Sequence, residues 1–95
     1  MAPLSDLDKT LSCIRLVMDI VKNPSGNISE LEDGLRRSLG TGWSVVSALQ
    51  WLTGKRSIAS LEAVPPDFRY AGLGKPELLS LHAVATETLR SASTR

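Results

Sequence analysis

The chain has four aromatic residues, one cysteine and one histidine among 95 residues, and no long uninterrupted apolar run. A single Cys13 cannot close an intramolecular disulfide, and with the single His82 it falls short of the ligand set of a structural zinc, so neither metal nor cofactor is expected. The most apolar stretch, LSCIRLVMDIV, carries Arg15 and Asp19 within it. It is too short and too charged for a bilayer span or a signal-peptide core, and the expectation is a cytoplasmic protein without membrane association. A charge excess is lacking too. Eleven basic and ten acidic residues leave a net charge of +1, so the molecule as a whole does not attract nucleic acid.

Catalytic patterns are also missing. Gly54-Lys55 lacks the earlier glycine of a phosphate loop, because Leu49 stands there, and Arg56 follows where a serine or threonine belongs. After Gly72-Leu73-Gly74-Lys75, Pro76 removes the backbone donor a phosphate would use. Cys13 and His82 are the one nucleophile–base combination, but Cys13 lies in an apolar segment where a thiol packs as core. The three acids Glu30, Glu32 and Asp33 sit at a helix start, where the dipole accounts for them. No enzyme is expected.

What is present is helical periodicity, in a chain long enough for one domain, 1–95. Leu4, Leu7, Leu11, Ile14, Met18 and Val21 alternate by three and four and form one stripe of a first helix over 4–22, capped by Ser5 and stopped by Asn23-Pro24. Cys13, Leu16, Val17 and Ile20 widen its apolar surface beyond one stripe. In a chain this small, that width reads as a need for a second subunit.

Ser29 followed by Glu32 has the capping-box spacing and opens a second helix. Leu31, Leu35 and Leu39 continue in phase to Trp43 and Val46, which predicts one long helix over 29–53, kinked near Gly40. A short third helix is expected over 57–63, an irregular connector over 64–75 and a fourth helix over 76–92 with Leu78, Leu81, Ala85 and Leu89 on one face. The fold class is an all-α small bundle, the long helix packed on the first, as a homodimer.

Local charge is more informative than net charge. Arg36, Arg37, Lys55 and Arg56 are the four basic residues of 34–61, a span with no acid, and they are the candidate nucleic-acid contacts. On a continuous helix Arg37 and Lys55 lie five turns apart on one face, about 27 Å along the axis, which suits a duplex backbone. Trp43 is expected in the core and Trp51 nearer its margin.

The pieces NPSGNISEL (23–31) and LTGKRSIASLE (52–62), in a layout of helix, proline turn, long helix and short helix, resemble the small RNA-silencing suppressors of insect nodaviruses. That resemblance implies an antiparallel helical homodimer whose long helices lie along double-stranded RNA and shield it from Dicer, with Lys55 as a phosphate contact. The stretch LGTGWSVVSALQWLTGKRS also resembles the phage-repressor helix-turn-helix family, which implies a DNA-binding regulator. A third reading is a helical adapter whose stripes hold a protein partner. The expected partners are therefore duplex RNA, a second copy of the chain or a host protein.

Overall fold

The computed structural model describes residues 5–23 and 26–93. The order of elements is α1 (Asp6–Lys22), α2 (Ile28–Leu39), α3 (Val45–Thr53), α4 (Lys55–Glu62), a two-stranded antiparallel hairpin of β1 (Arg69–Tyr70) and β2 (Leu73–Gly74), and α5 (Lys75–Ser93). The all-α expectation holds for everything except the hairpin.

The first helix forms where its pattern places it. Ser5 Oγ accepts from the Asp8 N–H at 3.1 Å, and the Asp8 carboxylate accepts from the Ser5 N–H at 3.4 Å, a reciprocal cap that satisfies two free donors. Leu11 and Ile14 are buried, Leu7 and Met18 half-buried, and Leu4 lies outside the described residues. Val21 departs from the expected core: it is 52% exposed in the last turn, past the cover of the other helices. α1 packs against α2, α3, α4 and α5. Cys13, Leu16 and Val17 are buried by these neighbours, so the chain itself covers the wide apolar surface that read as a need for a second subunit.

The long second helix does not form. α2 ends at Leu39, and Gly40 takes φ +123°, a backbone that side chains strongly disfavour. Ser44 then starts α3 afresh by accepting from the Ser47 N–H at 3.2 Å. A straight helix over 29–53 would be about 37 Å long, more than the 35 Å longest extent of the molecule. The restart also changes the phase. Ala48 and Leu52 turn inward, whereas Val46, expected in the core, is 61% exposed.

The start of α2 differs as well. Asn27 caps it by accepting from the Ser29 N–H at 2.9 Å, and the carboxylate of Glu32, expected to cap its own helix, instead accepts from the Val45 N–H at 2.8 Å. α2 is thereby joined to the first turn of α3. Leu35 is buried, with Leu31 and Leu39 half-buried beside it. α4 begins two residues earlier than expected, because Gly54 alone, extended at φ −85° and ψ 157°, separates it from α3. In the expected connector, Ala71 at φ 52° and Gly72 at φ 82° make the tight turn between β1 and β2. On α5, Leu78, Ala85 and Leu89 face the core as the spacing predicts.

Candidate functional site

The four basic residues singled out in the sequence do not form one rod-like face, since the helix that would have aligned them is broken at Gly40. Arg36 is occupied within the fold. Its Nε donates to the Trp43 carbonyl at 3.1 Å, and its terminal nitrogens lie 3.6 Å from Glu32 and 3.5 Å from Asp33. It clamps the end of α2 to the turn that follows. Arg37 is exposed, and its Nε donates to the Asp33 carbonyl at 3.4 Å.

Lys55 and Arg56 open α4. Arg56 meets Asp6 of α1 at 3.2 Å and lies 5.3 Å from the centre of the Trp51 ring, while Lys9 lies 5.3 Å from the same ring. A cation near the face of an indole is attracted by the ring quadrupole. Neither Lys9 nor Asp6 stands out in the sequence, because their partners are more than forty positions away. Trp51 is half-buried and anchored: its Nε1 donates to Thr10 Oγ1 at 2.8 Å, and its ring meets Trp43 edge-on at 6.0 Å between centroids. The two tryptophans thus pack as one unit, with Lys9 and Arg56 close to the Trp51 ring.

The charges of α4 run against its dipole at both ends. Lys55 and Arg56 occupy the positive N-terminal end, which has no side-chain cap and no acid in its first turn, and Glu62 occupies the negative C-terminal end. The C-terminal end is compensated by Lys75 Nζ, which donates to the Glu62 carbonyl at 2.8 Å. At the N-terminal end Asp6 answers Arg56. Lys55 is exposed and has no ion-pair partner among the described residues.

Behind this end, Ser57 is fully buried. Its Oγ lies 2.9 Å from the Gly54 carbonyl, 3.2 Å from the Leu52 carbonyl and 3.0 Å from His82 Nε2. Burial lowers the His82 pKa, partly offset by a hydrogen bond to the Leu52 backbone. Cys13, the other candidate for nucleophilic chemistry, is fully buried, and burial pushes its thiol up to about 12. Such a thiol stays protonated and unreactive at neutral pH.

Among the described residues no cluster of histidine, cysteine and carboxylate side chains could hold a metal ion, and no helix is long and apolar enough to cross a membrane. No family model, no curated protein and no solved structure matches the chain, so the basic start of α4 beside the tryptophan pair is its candidate site on geometry alone.

Proposed function

We propose that the protein is a non-enzymatic binder of double-stranded RNA, acting as a homodimer in the manner of the silencing suppressors its sequence resembles. One observation carries the reading. The start of α4 presents Lys55, Arg56 and uncapped backbone donors at the positive end of a helix dipole, an arrangement that an unliganded fold disfavours and a phosphate would relieve. Lys9 adds a third cation, 5.3 Å from the centre of the Trp51 ring. Contacts of this kind go to the backbone and report duplex shape more than base sequence. For self-association the outer face of α3 offers an uncharged surface, on which Val46, Gln50 and Thr53 are exposed.

The test is anisotropy of labelled duplex RNA, duplex DNA and single strands at two salt concentrations, with sedimentation of the free protein alongside. The expected result is preference for duplex RNA, with an affinity that falls as salt rises because bound counterions are released. Equal binding of single strands, or none at low salt, would sink the reading. A monomer at tens of micromolar would remove the dimer from it.

A further inference from the structure

The break at Gly40 frees backbone groups that the chain satisfies with side chains. The Val45 N–H donates to Glu32 at 2.8 Å, the Trp43 carbonyl accepts from Arg36 Nε at 3.1 Å, and the Ser47 N–H donates to Ser44 Oγ at 3.2 Å. In an unbroken helix the same groups bond along the backbone, the Val45 N–H to the Thr41 carbonyl and the Ser47 N–H to the Trp43 carbonyl. Glu32 and Arg36, 3.6 Å apart, then keep each other. Turning residues 40–44 into helix therefore strands no polar group. A Cβ at Gly40 or Gly42 meets nothing within 4 Å, and only Gly40, at φ +123°, has a backbone that calls for glycine in the closed turn.

The packing divides at the same place. α2 makes its main contacts with α1, whereas α1 also packs against α3, α4 and α5. α1 and α2 thus form an arm seated on the other three helices. Its hold combines Leu11, Ile14 and Val17 in the common core, the bond from Trp51 to Thr10 and the pair of Arg56 with Asp6. Leu39 and Val46, seven positions apart, keep one helical phase across the break, yet Val46 is 61% exposed in the single copy. A helix over 28–53 would be about 39 Å long. That exceeds the 35 Å greatest extent of one copy, but it is a length that can join two.

We propose that two copies of the chain dimerise by exchanging this arm. Residues 40–44 become helical, α2 and α3 fuse, and α1 and α2 of each copy seat on α3, α4 and α5 of the other through the contacts they make within one chain. The two fused helices cross near Gly42, where the missing side chains let the backbones approach. Leu39 of each copy then lies beside Val46 of the other, which covers the valine that a single copy leaves exposed. The inference rests on the homodimer of the reading above and not on its RNA, and it states how the second copy is held.

The test is sedimentation of the full chain, refolded from denaturant at high dilution and at tens to hundreds of micromolar, as an equal mixture of isotopically labelled and unlabelled copies. A dimer is expected at the higher concentrations, with isotope-filtered nuclear Overhauser contacts between the Trp51 indole N–H of one copy and the Thr10 methyl of the other. Gly40→Ala with Gly42→Ala is expected to lower the dimer dissociation constant by roughly a hundredfold or more, since each alanine favours a helical hinge about fivefold in each chain. At high dilution the same alanines act on the monomer alone. A Gly-Ser-Gly insertion after Gly42 relaxes the closed turn and weakens the fused helix, and is expected to remove the dimer while the monomer stays folded. Should the double alanine variant fail to fold, Glu32→Ala serves: it releases the Val45 N–H, keeps both glycines and is expected to raise the share of dimer. A parent that stays monomeric at the higher concentrations, a dimer whose Trp51–Thr10 contacts all lie within one chain, or a lengthened hinge that dimerises equally would overturn the exchange. Duplex RNA is absent throughout. RNA binding by a dimer with only intrachain contacts would sink the exchange and leave the RNA reading standing, and an exchanged dimer that ignores RNA would do the reverse.

Discussion

Ser57 Oγ and His82 Nε2 meet at 3.0 Å in the interior, where they tie the junction of α3 and α4 to α5. The hydroxyl also lies 2.9 Å from the Gly54 carbonyl and 3.2 Å from the Leu52 carbonyl, and which partner donates across the Ser57–His82 bond follows the imidazole tautomer. Protonating the ring puts a charge where solvent scarcely reaches, since His82 is 7% exposed.

Stability should therefore depend on pH through His82. Its folded pKa lies below the ordinary 6.5, so as pH falls through 6.5 the unfolded chain takes up a proton that the folded chain resists, and the folded state loses ground. The contribution is complete above that value and declines below it until the folded-state pKa is reached. Denaturant melts across this range check the slope. His82→Gln, which keeps a donor and removes the titration, should flatten it.

The glycines of the α2–α3 turn should separate cleanly. Gly40→Ala forces an alanine into φ +123° and should cost about 1–3 kcal/mol. Gly42 holds no positive φ and has open space around it, so Gly42→Ala should change stability by less than about 0.5 kcal/mol. Thermal melts of the two variants compare them directly. Equal behaviour would mean that the break at Gly40 is not what shapes this turn.

Thr10→Val should be costly for its size. Thr10 Oγ1 accepts from Trp51 Nε1 at 2.8 Å and donates to the Asp6 carbonyl at 2.8 Å, so the substitution leaves a largely buried indole N–H without its partner, at about 1–3 kcal/mol. Equilibrium unfolding measures the loss, and the tryptophan emission maximum should shift as the pair loosens. A neutral substitution would show that water replaces the hydroxyl.

The first and last helices were legible in the sequence because both have apolar spacing that never changes phase, and Ser5 carries its own cap. The break at Gly40 was not, because Leu39, Trp43 and Val46 happen to keep the period through it. Only the left-handed glycine and the Ser44 cap show that the period restarts, and they place Val45 rather than Val46 against the body of the protein. Glu32 likewise has capping-box spacing but serves a different helix thirteen residues away. Of the candidate site, the basic pair Lys55-Arg56 was readable as a local run of charge. Its relation to Lys9, Asp6 and Trp51 was not, since each depends on α1 packing beside α3 and α4.

Arg36 and Lys55 should behave oppositely although both are basic residues near the tryptophans. Arg36 is held by Glu32, Asp33 and the Trp43 carbonyl, so Arg36→Ala should lower stability by about 1 kcal/mol and change RNA affinity little. Lys55 is exposed, without an ion-pair partner among the described residues, and set against the α4 dipole. Replacing it with glutamate puts a carboxylate in the first turn of a helix, worth about 0.3–1 kcal/mol of added stability. The same change removes a phosphate contact and adds a repulsion. Lys55→Glu should therefore melt at a higher temperature than the parent while losing duplex RNA affinity, and Lys55→Ala should lower the slope of log affinity against log salt by about one. A Lys55→Glu protein that is more stable and binds duplex RNA with undiminished affinity and slope would show that the start of α4 is not the RNA surface.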